Sequence, residues 1–108
     1  MTKDQVFKRD NLLVKALREN HRGSENPMTS EQASKYLSEY GFSVKPRNIG
    51  TMVNRLAIEW GLPICYINGK GYFWATKKCE IQNTIADLQS RINALQEHIN
   101  HLNNFIIE

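Results

Sequence analysis

The chain has 108 residues, of which 41% are apolar and 23% charged, and a formal net charge of +3. These proportions exclude a disordered chain, and no run of 18 apolar residues occurs, so the sequence offers no membrane span. The polar N-terminus (MTKDQVFKRD) reads as no secretory signal, which makes the cytoplasm the expected compartment and reduced thiols the expected state of Cys65 and Cys79.

The charge is unevenly divided. Residues 1–78 hold 13 Lys/Arg against 7 Asp/Glu, a surplus of +6, whereas residues 79–108 hold 1 against 4, a deficit of −3. A basic body on an acidic tail suggests that the body meets a polyanion and the tail meets another protein surface.

In chain order, a first helix is expected over about 5–20, anchored by Val6, Leu13, Val14 and Leu17, with Asp10 as a cap for its second half. Residues 21–28 (HRGSENPM) have the composition of a loop. Thr29 and Gln32 then form a capping box, with Met28 placed to staple onto Ala33. The second helix puts Ala33, Tyr36, Leu37 and Tyr40 on one face and stops at Gly41. Pro46 suits the first turn of a third helix that runs to Trp60, where Gly61 and Pro63 close it. Two strands follow, 62–67 (LPICYI) and 72–76 (YFWAT), separated by Asn68-Gly69-Lys70-Gly71, a strong hairpin signal. Thr76 is the expected N-cap of the last helix.

That last helix carries a 4-3 apolar ladder. Isoleucine occupies the a positions Ile85, Ile92, Ile99 and Ile106, and the d positions are Ile81, Leu88, Leu95 and Leu102. So narrow a stripe requires a second helix to cover it, and a β-branched a position with Leu at d favours a two-stranded parallel coiled coil. The flanking residues are mostly neutral (Gln82, Thr84, Gln89, Gln96, Asn103), so charge does not decide between parallel, antiparallel or higher-order pairing. The expected partner is a second copy of the chain, which divides it into a body (1–76) and a dimerisation helix (77–108).

Helical geometry sorts the third helix into two faces. Ile49, Met52, Val53, Leu56 and Trp60 fall on one side, the core side. Arg47, Thr51, Asn54, Arg55 and Ile58 fall opposite, with Asn48 at the edge. A glycine at position 50, inside a helix, costs about 1 kcal/mol relative to alanine. It implies a close approach there, of DNA backbone or of the second helix.

A helix, a short turn, a helix with a polar outer face and a hairpin with a basic tip together resemble the winged helix-turn-helix proteins. The resemblance covers about residues 10–76 and is most specific from Met28 to Thr76. It looks like the small winged-helix DNA-binding proteins of phages and mobile elements, in which a Gly-Tyr step such as Gly71-Tyr72 opens the last wing strand. A wing followed by one long dimerising helix also resembles the replication terminator proteins of Gram-positive bacteria. The implied fold class is α+β, mostly α: a winged helix-turn-helix of three helices plus a β-hairpin wing, followed by a long coiled-coil helix.

Read through that resemblance, the third helix enters the major groove N-terminus first and presents Arg47, Asn48, Thr51 and Asn54 to base edges. Arginine suits guanine, asparagine adenine, and the threonine methyl suits thymine. Arg55 and Lys45 are placed for phosphates, and Asn68 and Lys70 at the wing tip for the minor groove or a phosphate. Lys35, Lys77 and Lys78 are weaker phosphate candidates. For each of these residues the alternative is a solvated polar position. The aromatics Tyr66, Tyr72, Phe73 and Trp74 are expected to pack the core rather than to stack bases, and His98 and His101 to lie on the surface rather than to hold a metal.

No G-x-S-x-G, Gly-rich phosphate loop or H-E-x-x-H motif occurs, so neither an enzyme nor a cofactor is expected. The expected function is that of a dimeric, sequence-specific double-stranded DNA-binding protein, a transcriptional regulator that represses by occupying its site. A replication-control role at an origin or terminator would use the same residues, and a winged-helix protein adaptor that binds no DNA remains the alternative.

Overall fold

The computed structural model describes residues 1–105 and residue 107. Thr2 opens the first helix, α1 (Lys3–Asn20): its hydroxyl accepts from the Gln5 N–H, and the Gln5 side chain accepts from the Thr2 N–H. This capping box starts the helix upstream of the expected residue 5 and carries it unbroken through Asp10. Asp10 is therefore no cap. It is buried on the inner side of α1, where Arg9 and Arg55 hold its two carboxylate oxygens, each at 3.1 Å.

The expected Thr29/Gln32 capping box starts α2 (Ser30–Glu39), and Met28 and Ala33 on either side of it are both buried in one core cluster. Beyond Tyr40 the chain reverses at Gly41, whose φ of +87° is a left-handed conformation that a side chain would strain. The Phe42 N–H donates back to the Leu37 carbonyl, and the Ser34 hydroxyl donates to the Val44 carbonyl. These two bonds fix how the next helix leaves the turn. That helix, α3 (Pro46–Trp60), begins on Pro46, where the missing N–H has no intrahelical partner to lose, and ends at left-handed Gly61.

The strands are shorter than expected: β1 (Ile64–Ile67) pairs antiparallel with β2 (Gly71–Trp74), Ile64 opposite Trp74 and Ile67 opposite Gly71. Residues 21–28 are more than a loop. Met28 and Tyr72 exchange two backbone bonds of 2.7 and 2.9 Å, the Trp74 N–H donates to the His21 carbonyl, and the Gly23 N–H donates to the Trp74 carbonyl. The outer edge of β2 is thus covered at two isolated bridges, Arg22 with Trp74 in the parallel sense and Met28 with Tyr72 in the antiparallel sense. Gly71 is required there, because at its φ of +125° any Cβ would run into the Met28 carbonyl.

The last helix, α4 (Lys78–Asn103), is capped by Glu80 and not by Thr76. The Glu80 carboxylate accepts from the backbone N–H of Thr76 (2.8 Å), Lys77 (3.1 Å) and Ser24 (2.6 Å). Those donors, Thr76 foremost and then Ser24, hold its pKa down at about 2. Glu80 is buried, and it ties the start of α4 to the segment after α1.

The fold is α+β and mostly helical. Its core joins Leu13 and Leu17 of α1, Leu37 of α2 and Ile49, Val53 and Leu56 of α3, with a smaller cluster of Cys65, Phe73 and Ala75 under the hairpin. Among the described residues no helix is long and apolar enough to cross a membrane.

Candidate nucleic-acid interface

The two faces of α3 are sorted as its periodicity predicts. Ile49, Met52, Val53 and Leu56 are buried and Trp60 is half-buried against the core, while Arg47, Asn48, Thr51, Asn54 and Ile58 are exposed. Five expected site residues come together: Lys45, Arg47, Asn48, Thr51 and Arg55 line one surface groove of about 510 Å³. Arg9, from α1, lines it too and was not singled out from sequence. Only the packing of α1 across α3 brings it there, and no local pattern marks it.

This groove contains four cations, Arg9, Lys45, Arg47 and Arg55, and no carboxylate among its lining residues. Lys45 is also the N-cap of α3 and makes no side-chain cap bond, so the positive end of the helix dipole opens beside the groove. The cations are not equivalent. Arg55 donates to Asp10 and to Glu59, each at 3.1 Å, and the Asp10 bond chiefly raises its pKa. Arg9 is held by the other Asp10 oxygen. Arg55 thereby ties α3 to α1, both arginines are partly neutralised, and Lys45 and Arg47 are left as the less encumbered charges of the groove.

The remaining expected residues lie elsewhere. Asn54 lines a separate cleft with Ile64, Tyr66, Tyr72, Leu88 and Arg91, between α3, the hairpin and α4. Asn68 and Lys70 are exposed in the hairpin turn, where the Lys70 N–H donates to the Ile67 carbonyl and Gly69 supplies the positive φ of +80°. Lys35, Lys77 and Lys78 are exposed. Phe73 is fully buried, and Tyr72 and Trp74 are half-buried against the main core, so these aromatics serve packing as expected.

Gly50 has a cause that neither expectation named. The Tyr72 hydroxyl of β2 lies over it, and a Cβ at position 50 would sit 2.5 Å from that oxygen. The close approach is made by the hairpin, not by α2.

The apolar ladder of α4 is uncovered. Ile81, Ile85, Leu88, Ile92, Leu95, Ile99 and Leu102 are 40–63% exposed, and only the early part of the helix packs on β1. Ile106, the last expected member, lies outside the described residues. The body folds without this stripe and leaves its apolar side chains in water, which a stable soluble arrangement disfavours unless another surface covers them.

Comparison with known proteins gives no match to any family model, curated protein or solved structure. The functional reading therefore stands on the geometry of α3, the hairpin and α4.

Proposed function

We propose that this chain is a dimeric, sequence-specific double-stranded DNA-binding protein of the winged helix-turn-helix kind, acting as a regulator that occupies its site. In this reading α2 and α3 are the helix-turn-helix, α3 enters the major groove, the hairpin is the wing and α4 pairs with its copy as a coiled coil. The carrying observation is the exposed outer face of α3, Arg47, Asn48, Thr51 and Asn54, beside a groove of cations with no carboxylate in its lining. Base edges require such donors and acceptors, and phosphates require such charge. The exposed ladder of α4 supplies the second half of the argument. Pairing two bodies makes the second DNA contact intramolecular and matches two half-sites about 34 Å apart.

A replication-control protein would use the same surfaces on a different site. On the outer face of α3 the adaptor reading has only Ile58, which is 83% exposed, and one apolar residue is not a docking patch. Selection from random duplex DNA, followed by mobility shifts at two salt concentrations, tests the proposal. Binding that weakens steeply with salt is expected. Arg47→Ala with Asn54→Ala relaxes base preference, while Lys70→Ala weakens all sequences alike and flattens the salt slope by roughly one counterion. Absence of any shift at low salt refutes it.

A further inference from the structure

One stack of side chains runs from α4 through the hairpin to α3. The Arg91 guanidinium lies 5.7 Å from the centre of the Tyr66 ring, a cation–π contact, and Asp87 steers it with an ion pair of 2.9 Å. Tyr66 packs against Tyr72, its cross-strand partner, with ring centres 4.8 Å apart and the ring planes tilted by 41°. The Tyr72 hydroxyl closes the stack over Gly50 of α3.

This stack has mechanical consequences because α4 has few other attachments. Its root is fixed by Glu80, and its apolar ladder is exposed along its length. A root alone is a pivot. Arg91 lies eleven residues further on, about 16 Å along the axis at 1.5 Å per residue, and a second fixed point at that distance defines a direction. A swing of about 10° at Glu80 would move Asn103, about 34 Å away, by roughly 6 Å. On duplex DNA that is about two base pairs of rise.

We infer that Arg91, Tyr66, Tyr72 and Gly50 form a clamp that sets the angle between α3 and α4, and thereby selects the half-site spacing that the dimer accepts. The spacing consequence rests on the proposed DNA reading; the clamp itself does not. In this role Arg91 is a positioning residue that touches no DNA.

Two measurements on the full chain separate these claims. Spin labels at Ile58→Cys and Gln96→Cys, in a Cys79→Ser background that leaves only buried Cys65, report the α3–α4 distance when diluted into unlabelled protein. One narrow distribution is expected for the parent. Arg91→Gln and Tyr66→Ala broaden it, and Asp87→Asn, which keeps the cation, does so far less. Distributions that stay as narrow in Arg91→Gln and Tyr66→Ala overturn the clamp.

The second measurement titrates duplexes carrying the selected half-sites at spacings changed by one to four base pairs. The parent should prefer one spacing by at least ~10-fold, and Arg91→Gln should reduce that preference to within ~3-fold while single half-site affinity is kept. A spacing preference retained alongside broadened distances overturns the link to DNA. Broadened distances in a protein whose parent binds no duplex overturn the DNA reading and uphold the clamp.

Discussion

Replacing Gly50 with alanine sets two effects of opposite sign against each other. Alanine in a helix interior is worth about 1 kcal/mol more than glycine. The new Cβ, however, would lie 2.5 Å from the Tyr72 hydroxyl, while the next ring atom, Cζ, is 3.7 Å away. Tyr72 cannot swing aside cheaply, because its ring packs against that of Tyr66 and its backbone is bonded to Met28 on one side and paired with Tyr66 on the other. Overpacking of this sort costs about 1–3 kcal/mol, so Gly50→Ala should destabilise by about 1 kcal/mol net. Tyr72→Phe removes the offending oxygen and leaves Cζ at ordinary contact distance. Tyr72 is only half-buried, so that change alone should cost well under 1 kcal/mol. In the phenylalanine background Gly50→Ala should then stabilise by about 1 kcal/mol, a coupling of about 2 kcal/mol between the sites. Urea unfolding followed by the fluorescence of Trp60 and Trp74, at one fixed protein concentration, measures it; each kcal/mol also moves Tm by about 4–8 °C. Equal stabilisation by Gly50→Ala in both backgrounds would refute the packing of Tyr72 over α3.

Other expectations follow from the same structure. Ile92 and Leu95 are 56% and 63% exposed, and covering that surface on two copies contributes roughly 4–6 kcal/mol, so Ile92→Asn with Leu95→Asn should weaken dimerisation by at least ~10³-fold in sedimentation and abolish tight DNA binding. Tight binding by such a monomer would contradict the proposed mechanism. Asp10→Asn removes the carboxylate that Arg9 and Arg55 share; because both arginines keep some access to water, the loss should be about 2–3 kcal/mol in chemical denaturation, below that of a fully buried pair. Glu80 has a folded pKa of about 2 against an ordinary value of 4.5, so its contribution is complete above pH 4.5 and is lost as pH falls towards 2. Melting temperatures of the parent should drop across that window more steeply than those of Glu80→Gln.

What the sequence made legible was what is local or periodic. Thr29 and Gln32 cap within four residues, Asn68-Gly69 turns within two, and the ladder of α4 repeats often enough to be read directly. The two faces of α3 follow from 3.6-residue periodicity once a core exists to one side. What escaped depends on contacts across the chain. Asp10 looks like a cap on α1 because an acidic residue beside an apolar run has that appearance; its role appears only when Arg55, forty-five residues on, reaches it. Glu80 looks like an ordinary first-turn acid, yet it gathers the N–H of Ser24 as well as those of its own turn. Residues 21–28 lack alternation, and their pairing is borrowed from β2. Within the candidate site, the outer face of α3 was readable, but the entry of Arg9 into its groove and the bordering of exposed Asn54 by a cleft that reaches α4 were not.

The position of Asn54 bears on how the site would read DNA. A base-reading residue at the C-terminal end of the contact face is normally limited by the depth to which the helix enters the groove. Here Asn54 shares its cleft with Tyr72 on the hairpin and with Leu88 and Arg91 on α4, so its amide is bordered by the elements that would carry the wing and the dimer. Lys45, Arg47, Asn48 and Thr51 line a different groove, which is cationic. The charge division points the same way: the segment bearing α4 is acidic and the body basic, so on the proposed reading a duplex would be drawn to the body and repelled along the rod. On the proposed reading, base preference should be concentrated in the first two turns of α3, and Asn54 should act on specificity in concert with the angle of α4 rather than as an independent reader.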